Sequence, residues 1–132
     1  MTIFVDTSAF YAVLDRGDEN HASARETWLR LLREEYTLVT TNYILVETCA
    51  LLQNRIGIPA LRTFHEDVAP LLRVVWVAED RHASGVEAAL AASRKRLSVV
   101  ECVAFQVMRE SAVDTAFSFD RHFAEQGFTV IP

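Results

Sequence analysis

Five short apolar segments punctuate the chain: Ile3-Phe4-Val5, Thr37 to Thr40, Val74 to Val77, Thr115 to Phe119 and Phe128 to Ile131. Runs apolar at almost every position, not every second one, fit strands covered on both faces. Between them lie helical patterns at Thr7 to Leu14, His21 to Glu35, Asn42 to Arg55, Ala60 to Val68, Glu79 to Ser93 and Ser98 to Glu110. Asn42 is placed to cap the third of these, Gly57 and Pro59 to end it, and Pro70 to close the fourth. Strands alternating with helices predict an α/β fold, a three-layer α/β/α sandwich around a mostly parallel sheet. With no repeat, linker or break in composition, residues 1–132 read as one domain.

Several chemistries are excluded early. The four glycines (Gly17, Gly57, Gly85, Gly127) are isolated, so neither a phosphate-cradling loop nor a dinucleotide fingerprint can form. His21, His65, His82 and His122 show no pair at metal-ligand spacing, and Cys49 and Cys102 lie far apart, which argues against a zinc site. Both cysteines sit in apolar helical stretches and read as buried free thiols. No apolar run reaches the ~18 residues of a membrane span. Met1-Thr2-Ile3-Phe4-Val5-Asp6 lacks the basic start of a signal peptide, so a cytoplasmic location is expected. The net charge of -5 speaks against holding a polyanion by a general basic surface.

What remains is carboxylates. Asp6 and Asp120 follow apolar strands, at the sheet edge where α/β folds bind ligands; the alternative for Asp6 is a cap on the next helix, a role Thr7 or Ser8 could serve as well. Glu47 has Tyr43, Ile44, Ala50 and Leu51 three and four positions away, a costly setting for a charge without a metal or an arginine partner. Ser98-Val99-Val100-Glu101 is a capping box, yet Leu97, Ala104 and Phe105 give Glu101 apolar neighbours, so cap and ligand stand level. If the four converge, they form a pocket of hard oxygen ligands suited to Mg²⁺ or Mn²⁺. Such an ion relieves the repulsion between the acids and supports displacement at phosphorus. Arg94, Lys95, Arg96 and Arg121 could track a nucleic-acid backbone or be plain surface charge.

Taken in order, Val5-Asp6-Thr7-Ser8-Ala9, Thr41-Asn42-Tyr43 with Glu47-Thr48, Leu97-Ser98 with Glu101-Cys102, and Phe119-Asp120-Arg121-His122-Phe123 with Gly127-Phe128 resemble a PIN domain. The subgroup they resemble is the VapC-like toxin ribonucleases of bacterial type II toxin–antitoxin systems. The resemblance implies a PIN-like sandwich, Mg²⁺ or Mn²⁺ dependence, endoribonuclease activity on structured RNA, a homodimer, and a cognate antitoxin on a separate chain. It carries the acidic quartet onto Asp6, Glu47, Glu101 and Asp120, and the neighbouring hydroxyls onto Thr7 or Ser8 and Ser118. His21 matches a histidine read as packing.

One position departs, because the family usually has aspartate where this chain has Glu101. The extra methylene displaces the carboxylate by about 1.5 Å, so Glu101→Asp is expected to keep or raise nuclease activity. The same departure favours one rival, a catalytically weakened scaffold that binds RNA or a protein, and a second alternative keeps the nuclease but has it process RNA without being a toxin.

Overall fold

The computed structural model describes residues 1–93 and 96–132. Arg94 and Lys95, two of the three residues in the basic run, lie outside the described residues. Five strands, β1 (Thr2–Val5), β2 (Thr37–Thr41), β3 (Arg73–Val75), β4 (Thr115–Phe117) and β5 (Thr129–Ile131), pair in the order β3-β2-β1-β4-β5, all parallel. The helices are α1 (Thr7–Leu14), α2 (His21–Arg33), α3 (Asn42–Arg55), α4 (Ile58–Thr63), α5 (Glu79–Ala91), α6 (Val99–Glu110) and α7 (His122–Glu125).

Right-handed crossovers sort these helices into two layers. The chain steps outward from β1 to β2 to β3, which puts α1 to α4 on one face. It then returns across the sheet to β4 and β5, which puts α5 to α7 on the other. The aromatic contacts follow that division. On the first face Phe10 meets Trp28 and Phe64 with ring centroids 6.4 and 5.1 Å apart. On the second, Phe123 of α7 meets Phe4 at 6.2 Å and Phe105 of α6 at 5.0 Å. Phe4 and Val5 are wholly buried between the layers and Ile3 nearly so, which is why β1 is apolar at each of these three positions.

Differences from the sequence expectations are local and have local causes. Thr41, not Asn42, caps α3, its hydroxyl accepting from the Ile44 amide at 3.2 Å. Asn42 instead uses its side-chain oxygen to accept from the Val77 amide at 2.6 Å. That bond draws the chain off the sheet after Val75, so β3 stops there, two residues before the expected Val77, and Trp76 is left 73% exposed. Pro59 does not end a helix but starts one, in the first turn of α4, where its missing N–H costs nothing. The helix then widens into a π turn (Phe64–Val68) and closes as a 3₁₀ turn (Ala69–Leu71) around Pro70. β4 is two residues shorter than expected because the Phe119 amide donates to a side chain instead of a neighbouring strand. Both cysteines are free, as expected.

The second layer depends on one glycine. A Cβ at Gly85 of α5 would lie 2.4 Å from Cγ2 of Val103, which is fully buried on α6 and β-branched, hence slow to give way. Gly85→Ala is expected to destabilise the fold by about 1–3 kcal/mol, read as a lower midpoint in urea. A midpoint equal to the parent's would mean that α5 shifts freely against α6.

Candidate active site

In an open parallel sheet, the crevice forms where neighbouring connections leave in opposite directions. Here that point lies between β1 and β4, since the chain leaves β1 toward one face and β4 toward the other. The residues just past those two strands are Asp6 and Ser118 to Asp120. A cleft of about 490 Å³ opens there, and Asp6, Glu47, Glu101 and Asp120 all line it. The four acids read from the sequence therefore share one cleft, although they come from four separate elements.

Asp6 is held most firmly. It caps α1, its Oδ2 accepting from the Ser8 amide at 3.4 Å, so the capping reading of this residue also holds. The same oxygen accepts from the Ser8 hydroxyl at 2.7 Å and the Ser118 hydroxyl at 3.0 Å. Each hydroxyl has one proton, and both protons go to Asp6. Their lone pairs accept in turn from the backbone, Ser8 from the Phe119 amide at 2.9 Å and Ser118 from the Asp120 amide at 2.9 Å. This lattice ties the loop after β4 to the start of α1. Burial nevertheless pushes the Asp6 carboxyl up to about 6; the serine bonds oppose the rise, and the charge of Asp120 adds to it.

Glu101 and Asp120 meet through a histidine. The capping box is formed: Ser98 Oγ accepts from the Glu101 amide at 3.0 Å, and Glu101 Oε1 accepts from the Ser98 amide at 3.1 Å. Glu101 Oε2 lies 2.6 Å from Nδ1 of His122, which is also 3.3 Å from Asp120 Oδ1. Asp120 Oδ1 accepts from the His122 amide at 2.9 Å, the turn that starts α7. The bond to Glu101 raises the His122 pKa, the charges of Glu101 and Asp120 add to the rise, and burial opposes it. Sequence reasoning missed α7 and gave His122 no role of its own, because the search for histidine pairs overlooked a histidine two positions after an acid. Asp120-Arg121-His122 was the available signal.

Glu47 stands apart from this group. It is half-buried on the wall of the cleft with Leu51 and Arg55, each one helical turn further along α3, so its surroundings are wetter than the apolar run suggested. Among the described residues no arginine pairs with it within 4.0 Å. Arg121 is exposed and turned toward Glu125, at 3.4 Å, while Arg96 is exposed just before Ser98. His21 packs as expected, with Nδ1 2.8 Å from the Ala12 carbonyl.

The donor set is mostly carboxylate oxygen, which suits a divalent ion, with one imidazole nitrogen that the expected all-oxygen pocket did not include. Glu101, Asp120 and His122 each offer one ligand atom, all within 4.8 Å of one another. Asp6 Oδ1 has no hydrogen bond among the described residues, and the buried hydroxyl of the next residue, Thr7, which also lines the cleft, has no partner either. Burial, with the charge of Asp120 adding to it, raises the Asp6 carboxyl toward neutral pH, and a cation in the cleft would supply the counter-charge that keeps it ionised. The same ion would draw a phosphate into the cleft.

Comparison with known proteins agrees with this architecture. The family model described as PIN domain matches residues 3–128. The 23S rRNA-specific endonuclease VapC20 of Mycobacterium tuberculosis is 30% identical over 130 residues, covering 98% of this chain and 97% of that protein. The crystal structure of M. tuberculosis VapC20, described as a sarcin-ricin loop cleaving toxin, superposes with a TM-score of 0.85 and 32% identity over 98% of this chain and 99% of that one. FitAcB from Neisseria gonorrhoeae superposes with a TM-score of 0.69 at 14% identity, over 100% of this chain and 97% of that one, a likeness of fold alone.

Proposed function

The chain belongs to the PIN domain family, and on that premise we propose that it is a metal-dependent endoribonuclease, the toxin of a type II toxin–antitoxin pair. The observation that carries the reading is the convergence of Asp6, Glu47, Glu101 and Asp120 on one cleft at the switch point of the sheet. Residues 1–132 act as one such domain. None of the described helices is long and apolar enough to cross a membrane, which suits a toxin working on RNA in the cytoplasm.

Asp6, Glu47, Glu101 and Asp120 would hold Mg²⁺ or Mn²⁺, which when bound supplies Lewis acidity at the phosphate and acidifies water. The serine hydroxyls on Asp6 fix that carboxylate between β1 and β4. His122 holds the carboxylates of Glu101 and Asp120 together. The substrate is a structured RNA, with the sarcin-ricin loop of 23S rRNA, the target of the M. tuberculosis relative, as the first stem-loop to try. A cognate antitoxin on a separate chain would restrain the activity. A homodimer would cover part of the apolar surface now open at Val46 and Trp76, which are 69% and 73% exposed.

The test is cleavage of that stem-loop with Mn²⁺, expected to stop on adding EDTA and to resume with excess Mg²⁺ or Mn²⁺. Induced expression should arrest growth, and coexpression of the neighbouring gene's product should relieve the arrest. Cleavage indifferent to EDTA would overturn the metal-dependent reading, and RNA binding without cleavage would favour the scaffold.

A further inference from the structure

The cleft holds five carboxylates, the quartet and Asp18, against a single cation among the described lining residues, Arg55. Arginine beside that many acids normally pairs with one of them. Among the described residues Arg55 has no carboxylate within 4.0 Å. Its guanidinium instead lies over the ring of Tyr11, 5.4 Å from the centroid, and Tyr11 also lines the cleft. The guanidinium is also within reach of the Tyr11 hydroxyl and of the Asp15 charge, which hold it beside the ring, and its remaining N–H donors offer part of the fork that matches a phosphate. The ring also limits the freedom the side chain would lose on binding.

Position matters as much as chemistry. Glu47, Leu51 and Arg55 follow one another at four-residue spacing and all line the cleft. Arg55 therefore sits about 12 Å along α3 from Glu47 and is exposed to solvent. A strand that presents one phosphate to the acids passes Arg55 with another.

We propose that Arg55, stacked on Tyr11, binds a non-scissile phosphate of the RNA strand and so sets its register in the cleft. This rests on the nuclease reading and adds a positioning residue to it. An interaction equal in the ground and transition states raises KM and leaves kcat alone. Arg55→Ala is expected to raise KM for the stem-loop about tenfold, with kcat within about twofold of the parent. Arg55→Lys, which keeps the charge without the fork, should fall between.

Two further readouts separate phosphate contact from a structural role at the end of α3. In the cleavage-deficient Asp6→Asn background with Mg²⁺ present, Arg55→Ala should flatten the slope of log affinity against log salt by about 0.7, the loss of one phosphate contact on a single strand. Mn²⁺ affinity, titrated without RNA, should not change. Parent protein that cuts RNA while Arg55→Ala leaves KM and the salt slope unaltered would overturn this inference alone. The same holds if kcat or Mn²⁺ affinity moves instead. Parent protein that neither cuts nor binds the stem-loop overturns the nuclease reading, and this one with it.

Discussion

Asp6→Asn is expected to abolish RNA cleavage and, at the same time, to make the metal-free protein harder to unfold. The first effect follows from position: Asp6 is the acid fixed by both serines, at the junction of β1 and β4, with one oxygen unbonded. Removing one charged group from such a preorganised site should cost about 10²–10³-fold or more in rate. The second follows from burial. Asp6 is 6% exposed, and its carboxyl is raised from 3.8 to about 6. A group raised on folding stabilises the native state while protonated in both states, and that contribution disappears as pH climbs through the folded value. In metal-free protein above pH ~6 the cost is about 3 kcal/mol, which asparagine removes. Thermal melts with EDTA should show the variant several degrees more stable near neutral pH, with the gain vanishing below about pH 4. Added Mn²⁺ should raise the parent's midpoint much more than the variant's. A variant that cuts RNA within about tenfold of the parent would remove Asp6 from the site. A variant less stable than the parent in EDTA would mean its charge is already balanced.

That opposition between stability and activity explains why the acids were legible in the sequence at all. A carboxylate after a buried strand, or amid Ile44-Leu45-Val46, is a local cost with no local benefit, and such costs point outward to a ligand. The sheet was legible for the matching reason: continuous apolar runs can be satisfied only between two layers of helices. What escaped was set by contacts distant in sequence. Asn42 is drawn from capping to Val77, thirty-five residues away, and that bond decides where β3 stops. β4 ends early because Phe119 donates to Ser8, which lies at the opposite end of the chain. His122 escaped because its partner Glu101 is on another helix. Glu47 was read as standing in a dry interior because the pattern of α3 does not reveal that one apolar face opens onto a cleft.

Glu101→Asp is expected to melt earlier than the parent and to cut RNA no faster, whereas the length of the side chain alone suggested activity kept or raised. The sequence argument treated the carboxylate as free to move by a methylene. In the structure both of its oxygens are engaged, Oε1 by the Ser98 amide at 3.1 Å and Oε2 by His122 at 2.6 Å. Aspartate is shorter by about 1.5 Å and cannot keep both bonds. Loss of the capping-box half alone should cost about 1 kcal/mol. The histidine half has its own signature. The pKa of His122 is raised in the fold, so its pairing with Glu101 stabilises the protein below about pH 6.5 and is lost as pH rises through the folded value. The gap in melting temperature between parent and Glu101→Asp should therefore be widest near pH 6 and narrow toward pH 9. An NMR titration should show the His122 midpoint lower in the variant. Glu101→Asp melting with the parent at every pH, and cutting faster, would mean that Glu101 is a displaced ligand whose bonds to Ser98 and His122 clamp nothing between α6 and α7.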